Sequence, residues 1–301
     1  MKEKILYFEC KTGAAGDMLM GALYELLSKE QKQEFLNKLN SISDEIQVTP
    51  EIKNVRGIGG THMRVEVCGK EEDEHMHEDG HMHEHTHEDG HIHEHTHEDG
   101  HIHDHMHEDG HAHEHTHEHV HGHAHHHSHG HHAHTSCPAI LKKISELDFG
   151  DSIKEHASDV YRVIAAAEGK VHQTDMQQIH FHEVGSLDAL VDVTGCCLAI
   201  DMLNIDKVQC SPVCLGNGTV RCAHGILPVP APATAEIIKG MPVYTSSFDG
   251  ELLTPTGAAI LKHFVEEFTK EMKMEIENIG YGFGTKEFEQ LSCVRAFLGY
   301  R

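Results

Sequence analysis

Lys4-Ile-Leu-Tyr-Phe-Glu-Cys10-Lys-Thr-Gly13-Ala-Ala-Gly16-Asp17-Met-Leu-Met-Gly-Ala-Leu-Tyr-Glu-Leu-Leu27 changes periodicity halfway along its length. Ile5 to Phe8 form a short apolar run of strand length, and Leu19, Leu23, Leu26 and Leu27 then recur at helical spacing. The glycines between them mark a tight turn, so the stretch reads as strand, turn and helix. Repetition of that unit along the chain defines an α/β protein.

The rest of the chain repeats the alternation. Spacing predicts a helix over 32–39, strands over 46–55 and 63–68, and helices over 138–147 and 153–172. A short strand over 178–181 precedes an apolar helix over 185–203 and a strand over 208–215. Pro228-Val-Pro-Ala-Pro232 leads into a helix to about 239, and 242–245 reads as a strand. Thr254 is a natural N-cap and Pro255 suits the first turn of a helix running to about 268. Strands over 272–279 and 292–298, joined by Gly280-Tyr-Gly-Phe-Gly284, close the chain. The expectation is a mixed sheet with flanking helices.

One segment interrupts this pattern. Of the 35 histidines, 28 lie between His75 and His134, and residues 71–134 also hold 17 Asp and Glu with no Lys or Arg. His81-Met-His-Glu-His-Thr-His-Glu-Asp-Gly90 recurs as residues 91–100, and in altered form as 101–110. Such a composition buries too little apolar surface to offset its ordering entropy, so the tract reads as a disordered insertion. The expected organisation is one discontinuous domain, 1–70 plus 135–301, around it. Alternate imidazoles such as His81, His83, His85, His91, His93 and His95 suit nickel, zinc, copper and cobalt alike.

The formal charge of −25 falls mainly on the tract, and no basic patch remains to neutralise phosphates, which argues against nucleic-acid binding. The charged N-terminus does not resemble a signal peptide, no apolar run is long enough to span a membrane, and nine irregularly spaced cysteines read as reduced thiols. The expected compartment is the cytoplasm.

Several constellations carry chemistry. In His180-Phe-His182-Glu183-Val-Gly-Ser-Leu-Asp188-Ala-Leu-Val-Asp192, two histidines share one side of a strand, and Asp188 and Asp192 share one face of the next helix. Imidazoles and carboxylates at a strand-to-helix junction are candidate metal ligands. Asp188 could equally serve the helix dipole, but Asp192 among apolar neighbours calls for a partner or an ion. Gly13 and Gly16 could admit a phosphate to a helix N-terminus, yet the Gly-Lys-Ser/Thr ending is missing. A tight turn with Asp17 as dipole partner is the competing reading. Arg221 and His224 occupy a loop, and Glu251, Thr254 and Thr256 stand at a helix start, a candidate anion site.

Together these motifs resemble the LarC family of nickel-insertion proteins: Gly13 to Met18, His182-Glu-Val-Gly-x-x-Asp188, Gly216-Asn-Gly218 with His224-Gly and Pro-Val-Pro-Ala-Pro232, Glu251-Leu-Leu-Thr-Pro-Thr-Gly257, and Gly280-Tyr-Gly-x-Gly284. The resemblance implies insertion of Ni2+ into pyridinium-3,5-bisthiocarboxylic acid mononucleotide, with Ni–S and Ni–C bonds formed and CTP hydrolysed. On that reading His180, His182, Asp188 and Asp192 hold the ion. Asp17, Glu183 and Glu251 serve as catalytic groups, while Gly13, Gly16, Arg221, His224, Thr254 and Thr256 face the nucleotide. Full-length members continue into a C-terminal domain that carries CTP with Mn2+ or Mg2+, whereas this chain ends at Arg301 and resembles their N-terminal part. The expected partners are the nucleotide precursor, a C-terminal LarC domain supplied in trans, and a second copy of the chain. A non-catalytic nickel or zinc metallochaperone or store, acting through the tract, is the alternative.

Overall fold

The computed structural model describes residues 2–70, 83–86, 92–95 and 135–301, except 182, 183, 223, 287, 289 and 290. Contacts divide the chain into two compact units, residues 1–72 with 132–301, and residues 73–131.

The larger unit opens with β1 (Lys4–Glu9), α1 (Gly16–Leu26), α2 (Lys29–Asn40), β2 (Ile46–Val55) and β3 (Ile58–Val67). In the smaller unit β4 (His83–Thr86) and β5 (Ile92–His95) pair antiparallel, His83 with His95 and His85 with His93. Both short strands fall within the stretch that composition reads as an insertion. The larger unit resumes with β6 (Thr135–Ser136), α3 (Cys137–Glu146), α4 (Asp151–Val171), β7 (His180–Phe181), α5 (Leu187–Leu203) and β8 (Lys207–Cys210). Short strands follow: β9 (Val213–Cys214), β10 (Gly216–Asn217), β11 (Thr219–Cys222) and β12 (Gly225–Pro228). The chain then forms α6 (Pro232–Ile237), β13 (Val243–Tyr244), β14 (Gly250–Glu251), α7 (Pro255–Phe264), β15 (Glu267–Phe268), β16 (Glu275–Phe283) and β17 (Val294–Tyr300).

Seven strands make one mixed sheet in the order β15-β8-β1-β17-β16-β3-β2. β1 runs parallel to β8 and antiparallel to β17, and β16 runs parallel to β3. Along β1, Leu6, Phe8 and Cys10 join the main core beneath the helices, whereas Ile5, Tyr7 and Glu9 turn to the other face. The helices pack on one another and, through α1, on β3, β16 and β17. Among the described residues the opposite face of the sheet carries no helix. All nine cysteines are free thiols.

Where boundaries differ from the sequence reading, a specific contact decides. A capping box starts α2 at Lys29: Ser28 Oγ accepts from Gln31 N–H (3.2 Å), and Gln31 Oε1 accepts from Ser28 N–H (2.9 Å). Pro212 cannot donate to a ladder, and the predicted strand 208–215 splits into β8 and β9. α7 stops at Phe264, and Glu267–Phe268 instead become a sheet edge parallel to β8. Gly280 and Gly282 lie inside β16 rather than in a turn. A Cβ at these positions would come within 2.0 Å of Ala22 O and 1.8 Å of Met18 O, so α1 rests directly on bare strand backbone.

Candidate functional site

Motifs far apart in sequence converge at the carboxyl end of β1. Ala14 N–H donates to Leu252 O (2.8 Å) and Thr254 N–H to Ala14 O (3.1 Å), while Gly216 pairs with Glu251. A Cβ on Gly16 would lie 2.4 Å from Asp192 Oδ2, one on Gly257 2.3 Å from Ala14 O, and one on Gly13 2.0 Å from Leu252 O. These glycines bring the starts of α1, α5 and α7 together, and the space that a side chain would fill holds protein. Thr254 Oγ1 accepts from Gly257 N–H (3.2 Å), the predicted N-cap, and Thr256 is buried.

Carboxylates gather where α1 meets α5. Asp17 Oδ1 accepts from Met18 N–H (2.7 Å) and Oδ2 from Thr285 N–H (3.0 Å). His62, only 2% exposed, places Nδ1 3.9 Å from Asp17 Oδ2 and 3.2 Å from Phe283 O. Burial raises the Asp17 pKa, against the opposing pull of His62 and of the N–H groups of Met18 and Thr285. Asp188 Oδ1 accepts from Ser186 Oγ–H (2.6 Å), beside the cap of α5. One turn further on, Asp192 lies against Gly16. The buried Tyr161 hydroxyl has no hydrogen-bond partner among the described residues. Its pKa is raised first by burial and then by the charges of Asp188 and Asp192. Burial, Asp192, Cys197 and Asp17 likewise raise that of Cys196, whose Sγ lies 3.7 Å from Gly16 O. Buried carboxylates beside helix N-termini can hold a proton or accept further hydrogen bonds.

His180 stands on β7, whose partner β6 is the first strand after the histidine tract: Ser136 pairs with His180 and Thr135 with Phe181. His182 and Glu183, like His81 and His91, lie outside the described residues. His83, His85, His93 and His95 fall on the paired strands β4 and β5. Arg221 and His224 belong to the separate β11–β12 hairpin, where the exposed His224 ring centres 5.0 Å from that of His172 at the end of α4. Glu251 lies on β14 with Oε1 buried. His62 escaped the sequence reading because no motif surrounds it. Only its inward parity on β3 could have marked it. Among the described residues no three His, Cys, Asp or Glu side chains are grouped to hold a metal ion, and no helix is long and apolar enough to cross a membrane.

Residues 6–301 match the family model described as nickel insertion protein. A pyridinium-3,5-bisthiocarboxylic acid mononucleotide nickel insertion protein of Clostridium acetobutylicum is 41% identical over 98% of this chain and 64% of its own length. Proteins of the same name from Clostridium kluyveri and Geobacillus kaustophilus are 36% and 33% identical, again over 98% of this chain, and over 62% and 60% of their own lengths. The chain thus spans about three-fifths of these curated relatives. No solved structure matches it.

Proposed function

The chain belongs to the nickel insertion protein family, and from that premise we propose that it inserts or delivers Ni2+ into pyridinium-3,5-bisthiocarboxylic acid mononucleotide during nickel-pincer cofactor biosynthesis. The supporting observation is the β6–β7 pairing, which fastens the exit of the histidine tract to the strand bearing His180, just before α5. The tract collects the ion. His180 and His182 receive it, and Asp188 and Asp192 carry it toward the junction with α1. Forming a Ni–C bond releases a ring proton; Asp17 and Glu183 are the carboxylates assigned to accept it, with Glu251 orienting the nucleotide.

In this reading the protein is a cytoplasmic nickel chelatase of the lyase class. CTP with Mn2+ or Mg2+ is a co-substrate held by a C-terminal domain supplied in trans. Among the described residues no three His, Cys, Asp or Glu side chains are grouped to hold that ion.

The test incubates the full chain with Ni2+ and precursor, with and without CTP and the C-terminal domain, and follows the metallated nucleotide by mass. A variant lacking 71–134 that still metallates at saturating nickel supports insertion by the folded unit. Loss of all nickel binding with the tract favours the storage reading instead.

A further inference from the structure

Where α4 ends, a carboxylate and two histidines meet that include none of the α1 and α5 aspartates. Glu168 and His172 stand one helical turn apart, so their side chains share one face of α4. His172 caps the helix, its N–H donating to Glu168 O (2.8 Å), and its Nε2 lies 3.4 Å from Glu168 Oε2. His224, at the end of the β11–β12 pairing, centres its ring 5.0 Å from that of His172, with the planes tilted by 34°.

These separations are those of ligands around one ion. Nitrogen–oxygen hydrogen bonds cluster at about 2.9–3.0 Å. Two donors held tetrahedrally at about 2.0–2.1 Å from a transition ion stand about 3.3–3.4 Å apart, and two imidazoles on such an ion have centres about 4.5–5.2 Å apart. The 3.4 Å and 5.0 Å spacings match both figures. Two imidazoles and a carboxylate are also a donor set that zinc and nickel accept. The C-terminal end of the α4 dipole favours a cation, and Lys170 in the same turn pairs with Glu236 (2.9 Å). The Glu168 and His172 side chains are 18% and 34% exposed, so an ion can reach them and still shed part of its water.

We propose that Glu168, His172 and His224 form a binding site for a divalent transition ion, Ni2+ among them. Glu168 and His172 already stand at ligand spacing. The three donors do not converge in the structure, and the exposed His224 completes the set by turning its ring, a picosecond-to-nanosecond rotamer change. The family resemblance sets His224 toward the nucleotide; its place beside His172 gives it a ligand's role. That the ion is cargo for a nucleotide rests on the nickel-insertion reading; the donor set and its spacing do not.

The test melts the full chain in EDTA and in NiCl2, beside His172→Ala, His224→Ala and Glu168→Gln. The histidine tract is the same in every sample, so differences between them report the folded unit. Nickel at about one hundred times its dissociation constant should raise the parent melting temperature by about 5 °C or more. Each variant should lose most of that rise, with circular dichroism confirming that it folds. His263→Ala, which removes the separate contact of His263 with His156 (2.8 Å), should keep it. Crystals of the full chain with Ni2+ should show an anomalous peak bonded to all three side chains. No rise in the parent, a rise that persists in all three variants, or an equal loss in His263→Ala overturns the site. An anomalous peak at Asp188 and Asp192 with none at His172 also overturns it. If precursor is metallated while the three variants keep the nickel rise, this site fails and nickel insertion stands. If the variants lose the rise while nothing is metallated, nickel insertion fails and the site stands.

Discussion

The two sides of the strand end at β1 carry opposite chemistry. Beneath the helices, Asp17, Asp188 and Asp192 lie on the opening turns of α1 and α5, and burial makes ionisation of Asp17 costly. Across the sheet, Lys11 and Arg295 both pair with Glu9, beside the buried rings of Tyr7 and Phe297. One side gathers carboxylates at helix starts, the other pairs its carboxylate with cations, and a single β-strand with its outgoing turn separates them. The sheet keeps the two apart by parity: successive residues of β1 point to opposite faces.

The strongest way to break this arrangement is steric. Gly16→Val places a branched side chain into Asp192 and forces α1 from α5, and it should lower unfolding free energy by about 3 kcal/mol or more. A denaturant midpoint within error of the original would refute that packing argument. Asp192→Asn keeps the shape but removes a charge from the carboxylate side. It should slow metallation by about tenfold or more while leaving the fold intact, read by product mass and circular dichroism.

A third change separates stability from function. Because the folded state raises the Asp17 pKa, the stability tied to its protonated form is present at low pH and disappears as pH rises through the raised value. At pH 8 the ionised carboxylate is a cost, so Asp17→Asn should raise the melting temperature by about 2–4 °C, the scale of one kcal/mol. That advantage should shrink as the pH falls through the raised pKa. A variant less stable than the parent at pH 8 would mean that the hydrogen bonds from Met18 and Thr285 outweigh burial. The smallest effect is expected far from both faces: Ser28→Ala should cost about 1 kcal/mol through the α2 capping box and change neither metallation nor binding. Any loss of activity there would show that global stability, rather than either charge set, controls the reaction.

Much of the frame is legible in local sequence. The β1–α1 unit, the Thr254 cap, the length of α4 and the mixed α/β class all follow from periodicity and punctuation within a dozen residues. The misses share a cause. Gly280 and Gly282 read as turn residues because their reason, the carbonyls of α1, is more than two hundred and fifty residues away in sequence. Glu267–Phe268 continue a helical pattern locally and become a strand only because β8 offers an open edge. His62 has no motif around it, and its meaning appears only when Phe283 and Asp17 are brought beside it. Within the candidate site, the aspartates were readable from their spacing. Their surroundings were not, since Gly16 meets Asp192 and Gly13 meets Leu252 only in the fold.

The short pairing of β6 with β7 has a kinetic consequence. His131, His132 and His134 lie within four residues of Thr135, so their Cα atoms stay within about 15 Å of it whatever path the chain takes. Thr135 is itself paired to Phe181, next to His180. Under the proposed function, an ion held by these last imidazoles would meet His180 at an effective concentration in the millimolar range or above, set by the tether rather than by free nickel. Hand-over would then be a unimolecular step, first order and indifferent to dilution of the protein. Moving the tract to either terminus with the same composition would keep its capacity for metal and lose that advantage.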